Sequence, residues 1–486
     1  MFRALPAARY GKDEAESEKN LKKLGELMAA DFDKPKDGHD AEESGIPALY
    51  TYFGQFIDHD ITFDPMSSLV KHSDPDALTD FRTPALDLDN VYGRGPNDQP
   101  YMYDVSGRKF LLGNPIAGGK DSGARDLSRN NDDPARALIG DPRNDENSIV
   151  SQLQGLFLRF HNRLADDHPE ITDFADIQKQ VRFHYEYIVL NDFLPRIVNS
   201  KVLAGLKTNG AFDKNKLYFY KWKNEPFMPV EFSVAAYRLG HSMIRPGYRL
   251  NDHDETLLPI FPVPKEGLND GLTGFRAMNP NWGIDWGRFI DIDTRSYGGD
   301  ADPADAPMKQ RLQFAYRIDT SIVNPLAALP KAVAENPSSL AQRNLLRSFQ
   351  LGLPSGQDVA RYMQVPVLKD NEIVIGKAVD KPEKGDVVGT IDDIAELKAF
   401  KGNCPLWTYI LAEAARHQES VEIPVTEKMK ITTPRLGPVG GRIVAEVFLG
   451  MMFGDNDSLL KADPKWQPPS GAAFGLKDLV KYALGL

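Results

Sequence analysis

With 486 residues, a formal net charge of -11 and one cysteine, the chain is acidic, long enough for a large core, and free of intrachain disulfides. Its acidity argues against nucleic acid or an anionic membrane surface as a main partner, and Cys404 alone cannot build a cysteine-ligated metal site. The N-terminal Met-Phe-Arg-Ala-Leu-Pro lacks an apolar signal core, and no window approaches the roughly 18 apolar residues of a membrane span, so the expected location is cytoplasmic unless an export signal was removed.

In chain order, Glu16–Ala30 mixes charge and leucine at helical period, which predicts a helix inside an N-terminal arm over 1–45. Tyr52–Ile61 predicts a second helix, and it crowds Gln55, Asp58, His59 and Asp60 into about one and a half turns. Gln55 and His59 then share a face, with Asp58 and Asp60 rotated about 100° to either side of His59. Tyr52, Phe53, Phe56, Ile57 and Ile61 make the segment apolar enough to be buried, so its carboxylates need partners or a metal. A charge-rich surface helix is the competing reading of this stretch alone.

Met66–Arg136 is rich in Gly, Pro, Asn and Asp and poor in periodicity, an irregular excursion that needs something to wrap. Within it Thr83, Ala85, Asp87 and Asp89 alternate, so an extended chain puts their oxygens on one side, a spacing suited to Ca²⁺ with Asp60 added. A solvated acidic turn has the same composition. Further on, Arg143 and Glu146 stand three apart at a helix entrance and face one cavity, unless they serve only as helix-cap charges.

Ser148–Asp166 and Phe174–Val198 predict an antiparallel amphipathic pair. Phe232–Met243 predicts an apolar helix stopped by Arg245-Pro-Gly, with His241 inside it and Gly240 leaving room for a flat ligand. A lone buried histidine is more often a satisfied core residue than a ligand. Gly298–Pro307 reads as a linker. Met308–Leu329, Ser339–Leu351 and Leu397–Arg416 have helical period, and only Val365–Ile391, in an excursion over 365–392, reads as hairpin material. His161 is expected to brace its helix.

Five motifs, taken together and in this order, resemble the animal-type haem peroxidases of the peroxidase–cyclooxygenase superfamily, in a short form of bacterial type. Gly54-Gln-Phe-Ile-Asp-His-Asp60 is similar to the distal helix of that family, Thr83-Pro-Ala-Leu-Asp-Leu-Asp-Asn-Val-Tyr-Gly93 to its calcium loop, and Arg143-Asn-Asp-Glu146 to its distal arginine segment. Tyr237-Arg-Leu-Gly-His241 resembles the proximal helix, and Arg343-Asn-Leu-Leu-Arg-Ser-Phe-Gln-Leu-Gly-Leu-Pro354 the segment beneath the proximal histidine. The motifs span Ala48 to Pro354, and Leu436–Phe448 looks like the late helix of the family. The resemblance implies a mainly α fold with very little β, one helical domain over 1–486 enclosing a buried haem.

It also implies roles. His59 would move the peroxide proton, Arg143 would stabilise charge on the cleaving O–O bond, and Gln55 would orient peroxide, water or a halide. His241 would be the axial ligand of haem iron, with Asn344 accepting its Nδ1–H. Arg238 and Arg347 would pair with propionates, and Asp58 and Glu146 would become esters to a haem b macrocycle. Asp60, Thr83, Ala85, Asp87 and Asp89 would hold Ca²⁺. Asn147 stands where one mammalian member carries a methionine bonded to a haem vinyl, so no sulfonium link is expected.

The implied activity is reduction of H₂O₂ to water with oxidation of a small donor (halide, thiocyanate or phenol) through a ferryl intermediate. Two other classes are weighed. A fatty-acid dioxygenase of the superfamily would carry a tyrosine three residues before the proximal histidine, where this chain has Arg238, and Tyr237 on a helix would point elsewhere. An idle haem and calcium scaffold in adhesion would not need Gln55, His59 and Arg143 together.

Overall fold

Helices form where apolar side chains recur on one face and a polar side chain closes the first turn. The computed structural model describes residues 1–486 except 37, 63–81, 255, 299–309, 335 and 378–385. Its longer helices are α1 (Glu14–Met28), α2 (Leu49–Ile61), α3 (Ser148–Asp167), α4 (Phe174–Ile188), α5 (Leu340–Gln350), α6 (Leu406–Arg416), α7 (Pro438–Gly454) and α8 (Leu476–Leu484). Asp13, Asn147, Asp173 and Ser339 accept backbone N–H bonds at the starts of α1, α3, α4 and α5, caps worth about 0.5–2 kcal/mol each.

Strands are short. β1 (Glu43–Pro47) pairs antiparallel with β2 (Phe314–Tyr316), and β3 (Gln418–Glu422) pairs antiparallel with β4 (Lys430–Pro434) from Lys430 opposite Glu422 to Pro434 opposite Gln418. The fold is mainly helical, as expected, and no helix among the described residues is long and apolar enough to cross a membrane.

α2 is held by aromatic side chains. Phe56 stacks on Phe157 of α3 with centroids 4.3 Å apart, and Tyr185 of α4 meets both rings edge-on at 6.2 and 6.0 Å. Each such pair adds about 0.5–1.5 kcal/mol beyond area burial. α8 closes over α3 through Phe160 and Tyr482 at 5.3 Å. On the other side of the molecule, Phe232 stacks on Tyr237 at 4.7 Å, and Phe448 of α7 packs edge-on against both.

Several expectations need correction. Phe232–Met243 is not one α-helix: a single turn over Val230–Ser233 is followed by a 3₁₀ segment over Ala236–His241. Arg238 Nε donates to the Ser233 carbonyl at 2.7 Å, Ser242 Oγ to the Leu239 carbonyl at 3.0 Å and Trp407 Nε1 to the Arg238 carbonyl at 3.2 Å. Side chains thus occupy carbonyls that a continuous α ladder would use.

Met308–Leu329, described from 310, is not helical either. It contains β2 and a 3₁₀ turn over Asn324–Leu326, because β1 captures the Phe314–Tyr316 backbone and Pro325 cannot continue a ladder. Leu397–Arg416 is divided. A 3₁₀ turn over Ala395–Phe400 ends before Gly402, at φ +62°, and α6 starts after Pro405.

Phe174–Val198 is helical to Ile188, then widens to a π turn over Val189–Phe193 before a last turn over Leu194–Ile197. The β3–β4 hairpin was missed because its alternation runs between half-buried and exposed positions in a charged sequence. Within Val365–Ile391, Val374–Ile375 does pair with Gly389–Thr390. Gly298–Pro307 beyond Gly298 and the 66–81 part of Met66–Arg136 lie outside the described residues; the remainder of the latter is turns and isolated bridges with a helical turn at Asp89–Tyr92 and a 3₁₀ turn at Pro100–Met102.

One tertiary cap ties two of these helices together. Gly437 precedes α7 without a side chain, and the buried Glu413 carboxylate of α6 accepts the N–H groups of Val439 at 3.0 and 3.1 Å and Gly440 at 3.1 Å. Glu413→Ala is expected to leave these donors unmet and cost about 1–3 kcal/mol. Glu413→Gln should cost less, and chemical denaturation of the two variants against wild type is the check. Equal midpoints for E413A and wild type would show that the cap contributes nothing.

Candidate active site

One cavity of about 520 Å³ gathers residues that are distant in sequence. α2 contributes Gln55, Asp58 and His59, the segment before α3 contributes Arg143, Glu146 and Asn147, the 3₁₀ segment contributes Tyr237, Arg238, Gly240 and His241, and α5 contributes Arg343, Asn344 and Arg347. Apolar walls come from Phe193, Met228, Leu239, Ile260, Phe261, Leu326 and Leu329. Every residue assigned to peroxide or haem by sequence therefore opens onto the same space.

His59 is buried, and its Nδ1 lies 2.7 Å from Asn144 Oδ1. Burial and the neighbouring Arg143 charge lower its pKa to about 4, with Asp141 and Asp58 opposing. His241 sits in the other imidazole position, its pKa lowered to about 3 by burial and then by Arg238. Both rings are neutral at neutral pH and so carry a nitrogen lone pair.

Asn344 does reach His241, but with Nδ2 at 2.8 Å from Nδ1 rather than Oδ1. An accepted Nδ1–H requires the amide to be turned over, and among the described residues no other hydrogen bond of the Asn344 side chain opposes that turn. A Cβ built on Gly240 meets nothing within 4 Å, so the backbone beside His241 leaves the open space expected for a flat ligand.

The charged residues are arranged differently from expectation. Arg143 lines the cavity, but its Nε and Nη2 bond the Asp141 carboxylate at 3.1 and 2.8 Å, and Nη2 also donates to the His59 carbonyl at 3.1 Å and to the Thr62 carbonyl. Burial would raise the Asp141 pKa, yet the Arg143 bonds and charge, with His59 and Arg82, hold it well below the usual carboxylate range. Arg143 thus spends much of its hydrogen bonding on anchoring the end of α2.

Arg238 pairs with Asp58 at 3.2 Å, so the cation assigned to a propionate faces a carboxylate assigned to an ester. Arg343, which the sequence reading passed over, joins Arg347 on the wall. Glu146 opens only onto the cavity. Its enclosure pushes its pKa up to about 7, with Arg143 opposing and Asp58 adding to the rise. Tyr237 was expected to point away, yet it also lines the cavity, and its buried Oη has no hydrogen-bond partner among the described residues.

The calcium residues are only partly assembled. Asp60 is fully buried, with Oδ2 accepting from Tyr185 Oη at 3.1 Å and the Leu88 backbone N–H also favouring its charged form. Its pKa is raised by burial and by the charges of Asp87 and Asp89, and Asp87 is raised to about 6 by burial and Asp89. Thr83 Oγ1 donates to Asp87, and Ala85 is half-buried between them. Among the described residues no three acidic or histidine side chains converge into a ready metal site. The mutual repulsion is what a cation would relieve.

A family profile described as animal haem peroxidase matches residues 69–266. That stretch of the chain is similar to this family. Thyroid peroxidase of Canis lupus familiaris is 26% identical over 224 residues, 45% of this chain and 21% of that protein. Chorion peroxidase of Drosophila melanogaster is 23% identical over 267 residues, 51% of this chain and 31% of that protein. The chain thus spans between about a fifth and a third of the length of these curated relatives.

In fold, the chain is similar to peroxidase A from Dictyostelium discoideum, with a TM-score of 0.60 at 16% identity, over 99% of this chain and 93% of that one. A fatty acid alpha-dioxygenase of Oryza sativa superposes with a TM-score of 0.51 at 15% identity, over 96% of this chain and 75% of that one.

Three residues that the sequence reading left without a role carry the site: Asp141, which anchors Arg143, and Asn144 with Gln154, which lie behind His59. The only signal available for them was polar side chains in segments due to be buried, which require partners.

The raised Glu146 pKa has a thermodynamic consequence for the protein without cofactor. The folded state keeps this carboxyl protonated to about pH 7, whereas the unfolded chain releases it near 4.5. Its contribution is therefore complete below about 4.5 and fades as pH rises through 7. Glu146→Gln should remove that slope, so wild type loses about 1–3 kcal/mol relative to E146Q between pH 4.5 and 7.5. Parallel denaturation curves with no pH-dependent difference would rule this out.

Proposed function

We propose that the chain is a haem peroxidase that reduces H₂O₂ to water and oxidises a small donor such as a halide, thiocyanate or phenol. The observation that carries this reading is the convergence of two neutral imidazoles, the buried His59 and the half-buried His241, with Gln55 and four arginines on one cavity wall system. The residues present fit haem b: an imidazole to ligate iron, open space above Gly240, and Arg343 and Arg347 at positions able to meet propionates. Haem, when bound, supplies the redox-active iron at which peroxide is reduced.

The chain's own residues then do the following. His59 takes the peroxide proton at its neutral nitrogen and returns it to the departing oxygen. Arg143 supplies fixed positive charge beside that event while Asp141 keeps it in place. Asn344 orients His241 through Nδ1. Asp58 and Glu146 present carboxyls for ester links, and Glu146, uncharged over much of the acidic range, is costless to keep in an apolar wall. Asp60, Thr83, Ala85, Asp87 and Asp89 would bind Ca²⁺, which offsets the repulsion among their carboxylates and steadies the end of α2.

The dioxygenase reading has one observation in its favour, the buried Tyr237 Oη on the cavity wall, unpartnered among the described residues. Arg238 at the position three before His241, and the pairing of His59 with Gln55 around the cavity, favour the peroxidase.

Stopped-flow mixing of haem-loaded ferric protein with H₂O₂ is the test. His59→Ala should slow the loss of Soret absorbance by roughly 10²–10⁴-fold while haem stays bound, whereas His241→Ala should weaken haem retention itself. A His59→Ala variant that reacts at the wild-type rate would overturn the reading. After turnover with peroxide, wild-type haem should resist extraction into acidified solvent and that of an Asp58→Asn/Glu146→Gln variant should not; haem that stays attached in the variant would refute the ester links.

A further inference from the structure

Two hydrogen-bond chains end in the cavity, and each begins at a backbone group whose role cannot be reversed. The first starts at the Asn90 carbonyl, which only accepts. Gln154 Nε2 faces it at 3.5 Å, so Gln154 Oε1 faces Asn144 and accepts from Asn144 Nδ2 at 2.8 Å. Asn144 must then present Oδ1 to His59, whose Nδ1 lies 2.7 Å away. Asn90, Asn144 and Gln154 are all fully buried, so no solvent competes for these groups.

The second chain starts at the N–H groups of Ile149 and Val150, which only donate. Asn147 Oδ1 accepts both, at 3.1 and 2.9 Å, as the cap of α3. Its Nδ2 is thereby turned outward, and it donates to Gln55 Oε1 at 3.2 Å. Amide orientation is ordinarily ambiguous, but here the fixed ends decide it.

We propose that Asn144 and Asn147, three residues apart in one segment, are positioning residues that set opposite hydrogen-bond polarities on the two distal groups: His59 is locked as the Nδ1–H tautomer with an Nε2 lone pair toward the cavity, and Gln55 is locked with its N–H donors toward the cavity. This rests on the peroxidase reading and deepens it. An acceptor beside a donor matches what a peroxide requires on binding, one oxygen to be deprotonated and the other to receive a hydrogen bond. The same donor face favours an anion at that spot.

The tautomer is read directly. In ¹⁵N-histidine-labelled full-length protein, held as the diamagnetic ferrous carbon monoxide complex, long-range ¹⁵N–¹H correlations should show His59 protonated at Nδ1. Asn144→Ala should release the ring to a mixture or to the Nε2–H form, and Asn144→Asp, which keeps an acceptor in place, should restore the wild-type pattern. Should Asn144→Ala fold poorly, Gln154→Leu provides the same test one step back along the chain.

For the second chain, Asn147→Ser keeps a neutral cap on α3 but is too short to hold Gln55. Its ferric form should bind fluoride several-fold more weakly than wild type, and the double variant with Gln55→Leu should lose no more than Gln55→Leu alone. An unchanged tautomer in Asn144→Ala and Gln154→Leu, or additive losses in the Asn147 cycle, would overturn the proposal. A wild-type chain that takes up no haem would instead overturn the peroxidase reading, a separate outcome.

Discussion

The aromatic clamp on α2 is the constraint on which the site depends. A helix with Gln55, Asp58, His59 and Asp60 in consecutive turns is a poor candidate for burial, since each polar group has to be satisfied away from water. Phe53 and Phe56 fix its rotation against Phe157 and Tyr185, with ring centroids between 4.3 and 6.4 Å from these two residues. Once that rotation is set, His59 can only face the cavity and Asp60 can only face the side where Tyr185, Asp87 and Asp89 lie. Sliding the helix by one residue would exchange apolar for ionisable groups on both sides.

The opposite wall is built on a different principle. The 3₁₀ segment around His241 is shaped by side chains that take its carbonyls, with α6 and α7 packed behind it. Tyr237, Arg238, Gly240 and His241 all line the cavity, and in 3₁₀ winding residues three apart eclipse, so Arg238 stands in line with His241 and Tyr237 with Gly240. Tyr237, expected to point away on an α-helix, therefore shares the cavity wall with His241. The electrostatics of the cavity follow from pairing: Arg238 meets Asp58 and Arg143 meets Asp141, and among the described residues Glu146 has no salt bridge and a raised pKa.

Much of this was legible in residue order. Helices α1 to α5 start within a few residues of where apolar periodicity puts them, because amphipathic spacing and polar caps are local properties, whereas α7 was indicated only by the family resemblance. The failures share one cause. Met308–Leu329 and the β3–β4 hairpin depend on which distant backbone pairs with them, and the Phe232–Met243 segment depends on a tryptophan 169 residues away. None of those partners is visible in a local window.

By itself, the sequence determined the mainly helical class, the resemblance to the haem peroxidases, and the identity of the side chains that would have to meet. Only the tertiary structure decided how they meet. It turned Arg143 toward Asp141 and the end of α2, paired Arg238 with Asp58, and placed Asn144 and Gln154 behind His59. Residue type fixes what a group can donate or accept, but the direction in which it does so depends on fully buried partners that only folding brings within hydrogen-bond distance.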